Sequence, residues 1–198
     1  MPTATTQTGQ NSRQRIMDAA LDLFVTKGYL GTSMREIAEK AGLAKATIYH
    51  HVRTKTDLAL EVYRMVQENL AKREVLIISG ERTTRSRIHK FVRQFFEWVK
   101  ESPQEWLFFD AVVPTLVGHV DLPELELTAE GVARQVIIDG HVLNEVKNVP
   151  VDVLVWSFMI PVEVARFWAG GLLKGDIVDF AYEAAEMVWG AIRADSTA

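Results

Sequence analysis

The chain contains no cysteine, which excludes disulfide scaffolds, thiolate zinc sites and cysteine nucleophiles. Only six prolines and twelve glycines interrupt its 198 residues. The long stretches between them carry apolar residues at helical rather than alternating spacing, so the expected class is all-α. No charge-free span of membrane length is present: the longest apolar segment, 151–173, holds Glu163 and Arg166. The opening MPTATTQTGQNS is polar and has no apolar run, unlike a secretory signal, and a soluble cytoplasmic protein is expected. Catalytic signatures are missing too, with no Gly-x-Ser-x-Gly, no Gly-x-Gly-x-x-Gly and no phosphate-binding loop. No two of His89, His119 and His141 fall three or four residues apart, the spacing that sets paired metal ligands on one helix face. The expectation is therefore no enzyme, no metal and no cofactor.

What is present is a core-forming composition, 48% hydrophobic, and a net charge of −4 that is unevenly placed. Residues 1–58 carry a balance of +3 and residues 59–198 a balance of −7. The first quarter can meet a phosphate backbone while the rest stays soluble.

Start and stop signals divide the chain into nine helices. Residues 1–11 read as a disordered arm. Ser12 caps a first helix that ends at Gly28. Ser33-Met34-Arg35-Glu36 is a capping box opening a second, which Gly42 stops. A third spans 44–51, and Thr54 caps a fourth that runs to about Ile78. A fifth covers 84–101, and Ser102-Pro103-Gln104-Glu105 starts a sixth. A seventh is expected over 124–147. The eighth opens at Pro150, kinks at Pro161 and reaches Gly170. The ninth covers 176–194.

The second and third helices with their glycine turn have the dimensions of a helix-turn-helix. Ala38 is small where the helices cross, Gly42 permits a left-handed turn, and Ile37, Leu43 and Ile48 fill the wedge. Lys45, Thr47, Tyr49 and His50 remain for the outer face of the third helix, the groups a major groove accepts. The series Gly31-Thr32-Ser33-Met34-Arg35-Glu36-Ile37-Ala38, Ala41-Gly42-Leu43, Thr47-Ile48-Tyr49-His50-His51-Val52 and Lys55-Thr56-Asp57-Leu58 resembles the TetR family signature. So do Ala19-Ala20-Leu21 and Phe24…Lys27-Gly28-Tyr29 in the first helix. The resemblance covers about residues 12–62. It implies a three-helix DNA-binding domain over 12–53 and a ligand-binding and dimerisation domain over 54–198, with a homodimer built on the last two helices. Two positions depart from the family pattern. Ala44 replaces the serine whose hydroxyl caps the third helix, and Val52 replaces a phenylalanine of the core.

The candidate DNA contacts are Thr32, Ser33, Arg35, Lys45, Thr47, Tyr49, His50 and Lys55. Lys55 reads as a phosphate clamp at the start of the fourth helix or as a solvated lysine. Arg35 reads as a backbone contact or an idle surface group, and Tyr49 as a DNA contact or as packing on the first helix. His51 should turn toward the bundle. In the C-terminal part, most aromatics at helical spacing belong to the core or a dimer interface. Phe95, Trp98, Trp106, Phe109, Trp156, Phe158 and Met159 are the candidates to line an effector cavity. The expected function is a ligand-responsive transcription regulator, a repressor that binds a palindromic operator in double-stranded DNA as a dimer and is released by an apolar or amphipathic molecule. The alternatives are a small helical ligand-binding protein or enzyme with no DNA role, and an architectural DNA-binding dimer with no effector.

Overall fold

A computed structural model describes residues 4–78, 80–122 and 128–195. Among them every regular element is helical, apart from one isolated antiparallel bridge between Val146 and Arg193. Counting an interrupted helix once, the described residues form nine: α1 (Ala4–Gly31), α2 (Met34–Ala41), α3 (Lys45–His51), α4 (Lys55–Ile78), α5 (Thr84–Glu101), α6 (Pro103–Val117), α7 (Ala129–Val142), α8 (Val151–Ala169) and α9 (Ile177–Ile192). None is long and apolar enough to cross a membrane.

The interruptions have local causes. In α1, Gly28 adopts φ 75° and ψ 160°, a region that is essentially glycine's alone. The sequence stop at Gly28 is thus a kink, followed by one more turn. At the other end α1 reaches back to Ala4, into the segment expected as a disordered arm, where Gly9 is the sole strong helix breaker after Pro2. In α6, Phe108–Val112 is a π turn. The Val113 N–H donates to Phe108 O, five residues back, and the next residue, Pro114, has no N–H to give. In α8, Trp156–Phe158 tightens to 3-10 geometry. Pro161 offers nothing to the Ser157 carbonyl, and the Ser157 hydroxyl donates to Leu154 O at 2.7 Å. The kink expected at Pro161 is therefore expressed in the turn before it.

The chain divides into two compact units: Met1–Val66 with Pro103–Leu125, and Gln67–Ser102 with Glu126–Ala198. Helix α4 is continuous through Val66. In the first unit α2 and α6 both pack on α1, and the Phe24 and Phe108 rings lie 6.4 Å apart. Helix α6 thus clusters with the helix-turn-helix, whereas the sequence reading grouped it with the C-terminal domain.

In the second unit α5 is central, with α7, α8 and α9 packed around it. It buries Ile88, Phe91, Val92, Phe95, Phe96, Trp98 and Val99. Helix α7 comes close enough to α5 that a Cβ on Gly140 would lie 2.8 Å from Thr84 Oγ1 and 2.9 Å from Val146 Cγ1. The expected seventh helix, 124–147, is shorter in the structure, and residues 123–127 lie outside the described ones. It ends at Val142 because Asn144 turns left-handed (φ 56°). Beyond that turn, Glu145 Oε2 accepts from Thr84 N at 2.7 Å, and Ala194 N donates to Glu145 O at 2.9 Å. These bonds fasten the segment to the start of α5 and the end of α9.

Candidate nucleic-acid interface

Helix α2 starts on the capping box read from the sequence. Ser33 Oγ accepts from Glu36 N at 3.3 Å, and Ser33 N donates to Glu36 Oε2 at 2.9 Å. Lys27 Nζ lies 2.6 Å from the same carboxylate. The Lys27 ammonium, followed by the Ser33 hydroxyl and amide, lowers the Glu36 pKa to about 2. The turn closes at Gly42, left-handed at φ 64° and ψ 37°, whose N–H donates to Ala38 O and Glu39 O. Leu43 N also donates to Ala38 O, at 3.0 Å, completing a Schellman-type stop.

Helix α3 is anchored by the fully buried Ile48, and Val52 is buried behind it. Lys45, Tyr49 and His50 are exposed and Thr47 is half-buried. The Lys45 ammonium lies 5.8 Å from the centroid of the Tyr49 ring, so a cation and an aromatic hydroxyl share one face. His51 is half-buried, with its ring 5.8 Å from that of His50. Ala44, the N-cap residue, has extended geometry and makes no side-chain cap.

Ser33 and Arg35, at the start of α2, are exposed. Arg35 Nε lies 2.8 Å from Glu39 one turn on, and that carboxylate raises the Arg35 pKa. The other two candidates turn inward. Thr32 is 2% exposed, and its hydroxyl donates to Gly28 O and Leu23 O. Both bonds tie Thr32 back onto α1 across the Gly28 kink. Lys55 Nζ donates to Tyr29 O and Thr32 O, both at 2.9 Å, and sits 4.6 Å from the Tyr29 ring centroid. Sequence reasoning missed Arg15, whose Nη2 donates to the carbonyls of Ala41 and Gly42. No local pattern links an arginine to carbonyls 26 residues away.

The candidates for an effector cavity do not gather in one unit. Trp106 and Phe109 belong to the first, and Phe95, Trp98, Trp156, Phe158 and Met159 to the second. Phe95 and Trp98 are buried with their ring centroids 6.1 Å apart, and Phe158 meets Phe91 edge-on at 5.1 Å. Trp106 is buried and Phe109 half-buried. Trp156 is 69% exposed and Met159 is also on the surface. Together with Val153, Phe167, Tyr182 and Met187 they make the outer faces of α8 and α9 apolar. Among the described residues no group of three or more His, Asp or Glu is placed to hold a metal ion.

A buried α3 anchor, a capped α2 and a left-handed glycine between them define a helix-turn-helix. The sequence profile of bacterial regulatory proteins, tetR family, matches residues 16–62, about a quarter of the chain. It is 39% identical over 75 residues to the HTH-type transcriptional regulator AcrR of Shigella flexneri, a match covering 38% of this chain and 35% of AcrR. The match therefore spans about a third of that relative's length. It is 25% identical over 153 residues to the HTH-type transcriptional repressor KstR2 of Rhodococcus jostii, covering 73% of this chain and 75% of KstR2. The fold is that of FadR from Bacillus subtilis, solved in complex with stearoyl-CoA, with a TM-score of 0.74 at 18% identity over 90% of this chain and 98% of FadR. Each of these three proteins is named as a transcription regulator or repressor.

Proposed function

We propose that the protein is a ligand-responsive transcription regulator, a repressor that binds a palindromic operator in double-stranded DNA as a homodimer. The observation that carries this reading is the outer face of α3, where Lys45, Tyr49 and His50 stand exposed over a fully buried Ile48. A helix held from below by one apolar anchor enters a major groove as a rigid body. Thr47 lies beside these groups, and Ser33 and Arg35 at the start of α2 meet the adjoining phosphates. The helix-turn-helix spans 12–53, and the ligand-binding and dimerisation part follows from residue 54. In a bacterial cell the protein then works in the cytoplasm, where the DNA is.

Dimerisation is assigned to α8 and α9. One stripe on each helix serves the protein's own core, through Leu154, Phe158 and Ala165 on α8 and Ala184, Val188 and Ile192 on α9. The surplus apolar groups include Trp156, Phe167 and Met187, all exposed, and large exposed apolar side chains of this kind mark an interaction surface where they adjoin. A second copy related by a two-fold axis covers it with the same residues. The effector is apolar or amphipathic. The aromatic content of α5, α6 and α8 supports this, as does FadR, whose fold this chain shares and which was solved with an acyl-CoA.

The test is selection of duplexes from a random pool, followed by binding titrations across salt. A palindromic consensus is expected, and Lys45→Ala should weaken it about tenfold with a salt slope shallower by about one unit. Failure to enrich any sequence would refute the reading. Fatty acyl and aromatic compounds would then be titrated against tryptophan fluorescence and tested for release of the enriched duplex.

A further inference from the structure

We propose that Lys55 positions the helix-turn-helix and does not clamp a phosphate: it is the latch by which the first turn of α4 holds the corner where α1 hands over to α2. This rests on the DNA-binding reading above and concerns the same surface.

An ammonium has three N–H donors and no acceptor. Lys55 Nζ has three carbonyl oxygens within reach, Tyr29 O at 2.9 Å, Thr32 O at 2.9 Å and Leu30 O at 3.5 Å. It also lies 4.6 Å from the Tyr29 ring centroid, a cation–π distance. Its donors are therefore committed to protein. The carbonyls it meets belong to the last turn of α1, Tyr29 and Leu30, and to Thr32 just beyond it, where the helix dipole is negative. The adjacent residue of α4 adds a second tie, with Thr56 Oγ1 3.1 Å from the Tyr29 hydroxyl.

The corner so held carries the recognition unit. Thr32 is buried and bonded back to Leu23 and Gly28. Ser33, the next residue, is the N-cap of α2, and α2 carries α3 through the Gly42 turn. Each link from Lys55 to α3 is thus a hydrogen bond or a chain neighbour. Loss of the ammonium removes a donor from all three carbonyls, of which Tyr29 O keeps only the Thr32 amide at 3.4 Å, and frees the corner, and with it the register in which α3 meets a groove. Specific contacts depend on that register, whereas attraction to any polyanion does not.

The test compares wild type with Lys55→Met and Lys55→Arg on two probes: the duplex enriched by the wild type and a random-sequence duplex of equal length. Lys55→Met is expected to lose about tenfold or more on the enriched duplex and less than about threefold on the random one, at an unchanged salt slope. Lys55→Arg, which keeps a charged donor, should recover most of the loss. Amide hydrogen exchange without DNA should quicken across Lys45–His51 in Lys55→Met and return toward wild type in Lys55→Arg. Equal losses on both duplexes with a salt slope shallower by about one unit would show a phosphate contact and overturn the latch. So would wild-type affinity in Lys55→Met, or unchanged exchange in α3. If Lys55→Met does not fold, Lys55→Gln takes its place. If the wild type enriches no duplex, the DNA-binding reading fails, while the exchange measurement still decides whether Lys55 holds α3.

Discussion

The two compact units solve opposite surface problems. In the first, α2 and α3 bury small and aliphatic residues such as Ala38, Ala41 and Ile48, α1 and α6 bury Phe24, Trp106 and Phe108, and the outer face of α3 is cationic and aromatic. In the second, a large aromatic core around Trp98 and Phe96 coexists with a surface that still displays Trp156, Phe167 and Met187. The first unit suits a charged, hydrated partner whose attraction weakens with salt. The second suits an apolar partner whose attraction does not. What separates them is the kind of side chain left over once each core is satisfied.

Several substitutions would break or sharpen this contrast. The largest effect is expected from Trp156→Glu together with Met187→Glu, which places charge in the proposed dimer face. Dissociation by roughly a hundredfold or more is expected, since central aromatic anchors contribute ~2 kcal/mol or more each. Analytical ultracentrifugation would read this as monomer with helical circular dichroism intact, and an unchanged dimer would move the interface elsewhere. Next is Gly140→Ala, whose new Cβ would meet Thr84 Oγ1 at 2.8 Å and Val146 Cγ1 at 2.9 Å. Overpacking of this kind costs about 1–3 kcal/mol, measurable as a lower urea midpoint. Ala44→Ser is smaller and of opposite sign. The extended N-cap geometry is already present, φ −65° and ψ 144°, so a hydroxyl there should raise stability by about 0.5–2 kcal/mol.

The smallest effect concerns pH. Folding holds the Glu36 carboxyl near 2, below its ordinary 4.5. The native state therefore favours the ionised form. Its contribution is complete above pH 4.5 and is lost as pH falls through that value toward 2. Glu36→Gln should flatten the acid limb of the stability profile in that window and leave the neutral region nearly level. A profile identical to wild type below pH 4.5 would mean that the capping box is not titrating.

Legibility followed the same division. The helix-turn-helix was readable almost residue by residue because its signals are local: Ser33 and Glu36 three apart, Gly42 at the turn, Ala44 without a hydroxyl. Helices α4 and α5 likewise run where their caps and periodicity place them. What escaped was set by groups distant in sequence. Thr32 and Lys55 lie in a motif associated with DNA, and only the fold shows that carbonyls of α1 occupy them. Helix α7 stops early at the left-handed Asn144, and the residue beyond it, Glu145, is tied to Thr84 and Ala194. Trp156 is a cavity candidate by sequence, and the fold leaves it on the outside of α8.

The contact between Arg15 and the Gly42 turn carries an evolutionary consequence. A Cβ at position 42 would lie 2.7 Å from the Arg15 guanidinium, and that guanidinium also closes the carbonyls of Ala41 and Gly42. The two positions therefore behave as one heritable unit. The arginine tip can swing aside for a larger neighbour only by surrendering those bonds. In a saturation library, Gly42→Asn, which tolerates a left-handed backbone, should survive more often alongside a shortened residue 15 than alongside arginine.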